Sequence, residues 1–596
     1  MARRSPSSVD KAKDFKGTLN KLLKRVSTYK ILIILSFIFA IGSTIFAIIS
    51  PKILGNATTE IFNGLILKIS GTGGINFNTI KNILITLGIL YVISALFSYV
   101  QSLIMTSVSQ RTSYKLRKEV SQKLNKLPMS YFDKQNTGDI LSIITNDIDT
   151  IQLNLNGSAT QLVSSIVTVI GIFVMMCSIN VTLAILTALV LPVASIVVMI
   201  LVKKSQKHFV NQQKYLAEVD SEIEEMVSGH SVIKAFNAEE KTITKFDLDN
   251  KKLFEAGFKS QFLSGLMHPI MNFVGNLNYA LIAIVGAVFA IKGKITVGNI
   301  QSFIQYSKQF TNPIAQLAQI SSQIQSMIAA SERVFNFLDT GEYVDNGKLK
   351  ADNVEGNVEF KNVKFGYNED KIIIKDFNAK INAGEKIAIV GPTGAGKTTI
   401  VKLLMRFYEL NSGEILLDGK NITDYKRSEL ESVFAMVLQD TWLFNGTILD
   451  NLRYGNLNAS DKEVIDAAKT ANADYFIRTL PDGYNMVLNE ETSNISGGQK
   501  QLLTIARAIL ANPKILILDE ATSNVDTRTE ELIQKAMDKV MMGRTSFIIA
   551  HRLSTIKNAD LILVMNEGDI VEIGKHDELL EKKGFYAKIY NSQFEK

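Results

Sequence analysis

The sequence predicts a multi-domain chain, an all-α domain of six membrane-crossing helices followed by an α/β domain, and three observations predict it. Apolar runs of membrane-spanning length are concentrated before about residue 330, and charge lies mainly outside them. Further on, the apolar run 387–390 reads as a buried strand. It leads into the loop Gly391-Pro392-Thr393-Gly394-Ala395-Gly396-Lys397-Thr398 and then into the helical pattern 399–405. A second glycine-rich motif, Ile495-Ser496-Gly497-Gly498-Gln499, opens another helical stretch about a hundred residues later.

Five stretches are long and apolar enough to cross a hydrocarbon core of ~30 Å, which takes about 20 helical residues. They are residues 31–50, 83–105, 162–179, 183–202 and 262–291. The first thirty residues are basic (Arg3, Arg4, Lys11, Lys13, Lys16, Lys21, Lys24, Arg25, Lys30), which places them on the cytoplasmic side. No small-residue cleavage site follows the first apolar run, so that span is expected to stay as an anchor. The glycine-rich loops belong on the cytoplasmic side too, so the number of crossings must be even and a sixth is required.

Residues 299–327 supply the candidate. Gln301, Gln305, Lys308, Asn312, Gln316, Gln319 and Gln323 recur at helical spacing on one face, while Ile300, Ile304, Ile314, Leu317, Ile324 and Met327 lie largely off it. Unpaired amides in hydrocarbon are costly, so a spanning helix would turn this stripe toward a hydrated cavity or other helices. Gln305, Gln316 and Gln319 are the candidate lining of a transport path; the alternative is a helix that leaves the membrane half-way as a cytoplasmic stalk. The expected boundaries are a membrane domain at 1–335, a linker at 336–355 rich in Gly, Asp and Asn, and a soluble domain at 356–596.

Bulk composition excludes several alternatives. The chain has 596 residues, too many for one core, and 46% are hydrophobic. Its net charge of +7 is modest, and the basic residues cluster beside apolar segments, which favours membrane orientation over nucleic-acid binding. Cys177 is the single cysteine, which excludes an internal disulfide and a cysteine metal cluster.

The first glycine-rich loop fits G-x-x-x-x-G-K-[ST]. Backbone N–H groups in such a loop wrap phosphate oxygens, Lys397 reaches the β- and γ-phosphates, and the Thr398 hydroxyl meets Mg²⁺. Thr399 follows in the helix whose N-terminus faces the phosphates. Further motifs follow in a fixed order: Tyr367 after Phe365, Gln439, the signature Ser496-Gly497-Gly498-Gln499, the apolar run 515–518 ending in Asp519 and Glu520, Asp526, and His551 after an apolar run.

Taken together these resemble the ATP-binding cassette (ABC) family. The six spans with two long inward loops resemble its exporter-type half-transporters. The resemblance implies a cassette with a helical subdomain, ATP and Mg²⁺ as cofactors, and a role for each motif residue. Tyr367 would stack on adenine. Asp519 would hold Mg²⁺ through water, Glu520 would polarise the attacking water, and His551 would contact the γ-phosphate. Gln439 would sense Mg²⁺ and the γ-phosphate, and Asp526 would sit in the D-loop. Ser496 to Gln499 would complete a partner's ATP site, so two chains would be needed for hydrolysis. In the inward loops, residues 127–133 with Thr137, Gly138 and Asp139, and residues 228–236, resemble coupling helices that touch the nucleotide domain.

The sequence departs from the family pattern in two places. Ile495 stands where Leu is usual, and Asn489-Glu490-Glu491-Thr492 stands where many exporters have Gly-Glu-Arg-Gly, which puts the cross-contact to the partner's inward loop in doubt. With Glu520 and His551 intact, the chain most resembles the hydrolysis-competent subunit of heterodimeric bacterial multidrug exporters; a homodimer is the alternative. The implied activity is ATP-driven export or flipping of an amphipathic compound across the bacterial inner membrane. Alternatives are a lipid flippase, a peptide exporter, or an ATP-gated channel or regulator. No cysteine precedes the first span to serve a processing peptidase, which disfavours the peptide exporter.

Overall fold

The computed structural model describes residues 12–368, 371–438, 441–489, 494–519, 527–549 and 556–594. The chain divides into two compact units, residues 1–125 with 137–340, and residues 126–136 with 341–596.

The first unit is helical. Helix α1 (Phe15–Val26) is capped by Asp14, whose side chain accepts from Gly17 N, and buries Thr18, Leu22 and Val26 at intervals of four. The helices α2 (Lys30–Ile69) and α3 (Phe77–Leu124) follow. Helix α4 (Met129–Lys134) belongs to the second unit. After it come α5 (Thr137–Ser142), a π-helical turn at Ile143–Asp147, α6 (Ile148–Ile179) and α7 (Val181–Ser228). The unit ends with α8 (His230–Ala235), α9 (Glu239–Gly265), α10 (Met267–Ile291) and α11 (Val297–Asp339). Asn76, Asn180 and Thr296 cap α3, α7 and α11 through side-chain oxygens that accept from the backbone three residues on.

Among the described residues, four helical stretches are long and apolar enough to cross a membrane: Phe15–Ile69, Phe77–Leu124, Thr137–Ile179 and Glu239–Ile291. The expected spans at 183–202 and 299–327 lie on α7 and α11. At ~1.5 Å per residue, the 48 residues of α7 reach well beyond a ~30 Å core. The apolar run 262–291 passes a one-residue turn at Leu266 between α9 and α10, where the backbone keeps helical angles (φ −67°, ψ −21°) and Leu266 N still donates to Phe262 O. Gly265 stands at that turn, and glycine is a weak interior helix former.

Helices α2 and α11 approach closely at two glycines. A Cβ on Gly298 would meet the Gly55 carbonyl oxygen at 1.7 Å, and one on Gly55 would meet Ser302 Oγ at 2.2 Å. Small residues permit this contact where no hydrophobic force drives helices together. Pro51 interrupts the hydrogen bonding of α2. Hydroxyls on α11 serve carbonyls there: Ser302 Oγ donates to Pro51 O and Tyr306 Oη to Ile48 O, both at 2.9 Å.

In the spanning portion of α11 the aromatic side chains Phe303, Tyr306 and Phe310 are buried together with Ser302, Ile320 and Met327, whereas Ile300, Ile304, Leu317 and Ile324 are half-buried. The reason is size and partnering: the aromatic rings fill the space against Ile48, Ile172 and Met176, and the Tyr306 hydroxyl has its own acceptor. The glutamine stripe is also partly paired. Gln301 accepts from Thr58, Gln316 from Ser165 Oγ at 3.4 Å, and Gln323 from Ser158 Oγ at 3.1 Å.

Among the described residues, the second unit holds two larger sheets and the two-stranded pair β7 (Gly446–Thr447) and β8 (Val487–Leu488). One is four-stranded, in the order β2 (Ile374–Ile381), β1 (Val358–Phe365), β4 (Ser412–Leu417), β5 (Lys420–Asn421). The other is six-stranded, in the order β12 (Asp569–Gly574), β11 (Leu561–Asn566), β3 (Lys386–Val390), β10 (Thr545–Ile549), β9 (Ile515–Asp519), β6 (Phe434–Val437). Only the edge strand β12 is antiparallel. The parallel strands carry near-continuous apolar runs with polar residues only at their ends, as a sheet covered on both faces requires. Helices α12 (Lys397–Leu404), α13 (Arg427–Ser432), α17 (Gly497–Ala511) and α18 (Thr527–Met541) belong to the unit with the helical group α14 (Ile448–Arg453), α15 (Asp461–Thr470) and α16 (Asp474–Thr479).

Candidate functional site

The parallel order puts the C-terminal ends of β3, β10 and β9 on one edge of the sheet, where α/β folds bind ligands. Gly391 to Gly396 leave β3 there. The loop is held tight by its glycines. A Cβ on Gly391 would lie 2.3 Å from Met565 O, and Gly396 adopts φ +99° with Ile374 Cδ1 2.7 Å from its would-be Cβ. Gly568 N donates to Ala395 O at 3.2 Å, which fixes the loop against the turn after β11. Pro392, Thr393 and Gly394 are exposed, whereas Ala395 is buried.

Gly396 is the N-cap of α12 and offers no side-chain cap, so the amides of Lys397, Thr398 and Thr399 have no local acceptor from it. Lys397 Nζ donates to Gly391 O at 2.7 Å and Pro392 O at 3.0 Å, which holds the ammonium over the loop. Burial lowers its pKa, and the Asp519 carboxylate works in the opposite direction. An under-solvated cation beside uncapped amides at a helix N-terminus is a site for a polyanion. Asp519 ends β9 opposite Ile549, the last described residue of β10. Tyr367 follows β1, half-buried, with its hydroxyl 3.3 Å from Thr399 Oγ1.

The second motif forms another helix N-terminus. Ser496 Oγ accepts from Gln499 N at 3.3 Å, and Gln499 Oε1 accepts from Ser496 N at 2.9 Å, a reciprocal capping box on the fifteen-residue α17. Gly498 is buried; Ser496 and Gly497 are exposed, and a Cβ on Gly497 would meet nothing within 4 Å.

Gln439, Glu490, Glu520, Asp526 and His551 lie outside the described residues. Gln305, Gln316 and Gln319 lie in the first unit, Gln305 half-buried and the other two exposed. Sequence reading did not single out Arg507. Its guanidinium donates to Asn451 O at 2.9 Å, Asn451 Oδ1 at 3.2 Å and Trp442 O at 3.1 Å, tying the signature helix to the segment beyond Gln439. The available signal was an arginine in an apolar helix, which survives burial only when paired.

Residues 33–314 match the family described as the ABC transporter transmembrane region, and residues 374–523 match the ABC transporter family itself. A Mycobacterium bovis protein named as a fatty acid ABC transporter ATP-binding/permease protein is 42% identical, over 98% of each chain. This chain belongs to the ABC transporter family. An ATP-dependent lipid A-core flippase of Syntrophus aciditrophicus is 36% identical over 87% of this chain and 86% of its own. A Bacillus subtilis protein assigned provisionally, by its name, to multidrug export is 32% identical over 97% and 99%.

The chain is thus an exporter-type ABC half-transporter, a multi-pass membrane protein whose cassette binds and hydrolyses ATP to drive transport. ABC exporters function as dimers.

Proposed function

We propose that this ABC transporter is one half of a dimeric exporter that moves or flips an amphipathic compound across the bacterial inner membrane, N-terminus and cassette cytoplasmic. The chain would cross six times, with its membrane domain at 1–335, a linker at 336–355 and its cassette at 356–596. Gly497 is the observation that supports the dimer reading. Among the described residues nothing would meet a Cβ at Gly497, and a phosphate of ATP held by the partner's P-loop fits that open space at an exposed helix N-terminus. The relatives named for fatty acid and lipid A-core transport favour an acyl-chain amphiphile as cargo. A different subunit is the favoured partner, because residues 489–492 depart from the family pattern.

Phosphoryl transfer is mostly positioning and charge stabilisation. The amides of α12 and Lys397 hold the phosphates. The Thr398 hydroxyl and the Asp519 carboxylate are hard oxygen donors suited to Mg²⁺, which would neutralise charge on the transferring group. Tyr367 would stack on the base, Glu520 would polarise the attacking water, His551 would hold the γ-phosphate, Gln439 would sense Mg²⁺ and the γ-phosphate and pass that state toward the coupling helices, and Asp526 would sit in the D-loop. The test is proteoliposomes carrying the purified chain with its partner half: ATP-dependent movement of a fluorescent acyl lipid, abolished by Lys397→Ala, supports the reading. ATP turnover without movement of any acyl or drug-like amphiphile would overturn the cargo class.

A further inference from the structure

Helix α4 packs within the second unit, where its Asp133 meets Tyr408 and Lys402. Tyr408 donates its hydroxyl hydrogen to Asp133 Oδ2, and Lys402 Nζ lies 3.8 Å from the same oxygen. Tyr408 is 9% exposed, so its hydroxyl depends on an internal acceptor. Burial and the neighbouring carboxylate push its pKa up, which keeps the proton in place at any physiological pH. The Tyr408 ring stands edge-on to Tyr367, with centroids 5.1 Å apart and planes at 87°, and tilts against Phe365 at 5.5 Å. Tyr367 also meets Phe365 edge-on at 5.0 Å, and its hydroxyl reaches Thr399 beside the P-loop.

We propose that Asp133 is a positioning residue for nucleotide-base recognition: by fixing Tyr408 it sets the plane of Tyr367. This rests on the reading of Tyr367 as the base-stacking ring. A ring held on one side by Phe365, on another by Tyr408 and at its hydroxyl by Thr399 offers a preorganised face, and preorganisation lowers the entropic cost of binding. Release of Tyr408 from Asp133 removes one of the three supports. Affinity for the base then depends on where α4 sits, while contacts to the phosphates, made by Lys397 and the α12 amides, do not.

The experiment uses the full-length protein with Asp133→Ala, Tyr408→Phe, the double variant, Asp133→Asn and Tyr367→Ala. Displacement of a ribose-labelled fluorescent ATP is read twice, with ATP and with inorganic triphosphate. The single variants are expected to weaken ATP about three- to tenfold, the scale of one aromatic contact, and to change triphosphate less than about twofold. The double variant should be no weaker than the worse single, since both remove one interaction. Asp133→Asn keeps an acceptor oxygen and should restore most of the ATP affinity. Equal loss for ATP and triphosphate, or ATP affinity within about twofold in both single variants, would overturn the proposal. If Tyr367→Ala weakens ATP while the others do not, the stacking ring stands and its support falls. If Tyr367→Ala has no effect, both fall together.

Discussion

Gly497 and Lys397 divide the chemistry of the cassette at the scale of single residues. A methyl group at 497 would touch none of the described residues and strain no backbone angle, so Gly497→Ala should leave the thermal midpoint within about 2 °C of wild type. It should nonetheless cut ATP turnover by about tenfold or more, because the methyl would enter the space proposed for the partner's nucleotide. Full turnover in that variant would remove the signature from the site. Lys397→Ala should instead weaken nucleotide binding itself, and equilibrium binding of labelled ATP checks it. Glu520→Gln keeps shape and loses the base, so binding should persist while steady-state hydrolysis falls by orders of magnitude. The P-loop was legible in the sequence because its constraints are local: six consecutive positions dictate their own backbone. Tyr408 and Lys402 were not legible, since the partner that gives them meaning, Asp133, is 275 residues from Tyr408 along the chain.

Helical periodicity showed that α11 has two faces but not which neighbour covers each. Its aromatic residues are buried because α2 and α6 leave room for them, a fact of packing between helices. Single cysteines at Gln316 and Gln319, in a Cys177→Ala background, should react with a membrane-impermeant thiol reagent, whereas one at the buried Ile320 should not. Equal labelling at all three would make the segment an exposed stalk. Asp147, in the π-helical turn, is 4% exposed and receives two hydrogen bonds from Arg333 at 2.9 and 2.5 Å. The two lie 186 residues apart along the chain, so spacing could not pair them. Arg333→Ala strands a buried carboxylate and should cost about 1–3 kcal/mol, discounted because the arginine is half exposed; the loss of thermal midpoint measures it.

A third element carries a pH signal. His576 opens α19 (His576–Glu581), and its Nδ1 lies 2.7 Å from the hydroxyl of Tyr586 in α20 (Phe585–Phe594). Burial lowers its pKa from 6.5, with Asp577 opposing and Lys557 adding to the shift. A histidine depressed in the fold binds fewer protons folded than unfolded. Its stabilisation is therefore complete above about pH 6.5 and lost as the pH falls below that value. Amide exchange across α20, corrected for intrinsic rates, should accelerate at pH 5.5 relative to 7.5, and His576→Gln should flatten the difference.

At the scale of the whole molecule, the two units are discontinuous in sequence, because residues 126–136 belong with 341–596. This discontinuity is a matter of time as well as of space. About two hundred residues separate Asn136 from Gly341. Tyr408 lies 275 residues beyond Asp133, so a ribosome adding ~5–20 residues per second leaves α4 waiting roughly 14–55 s before the surface that receives it exists. During that interval Tyr131, Phe132 and Asp133 are without the cassette, open to chaperones and proteases. A nascent chain arrested before residue 341 should thus be cleaved at this segment, and one released after residue 596 should not.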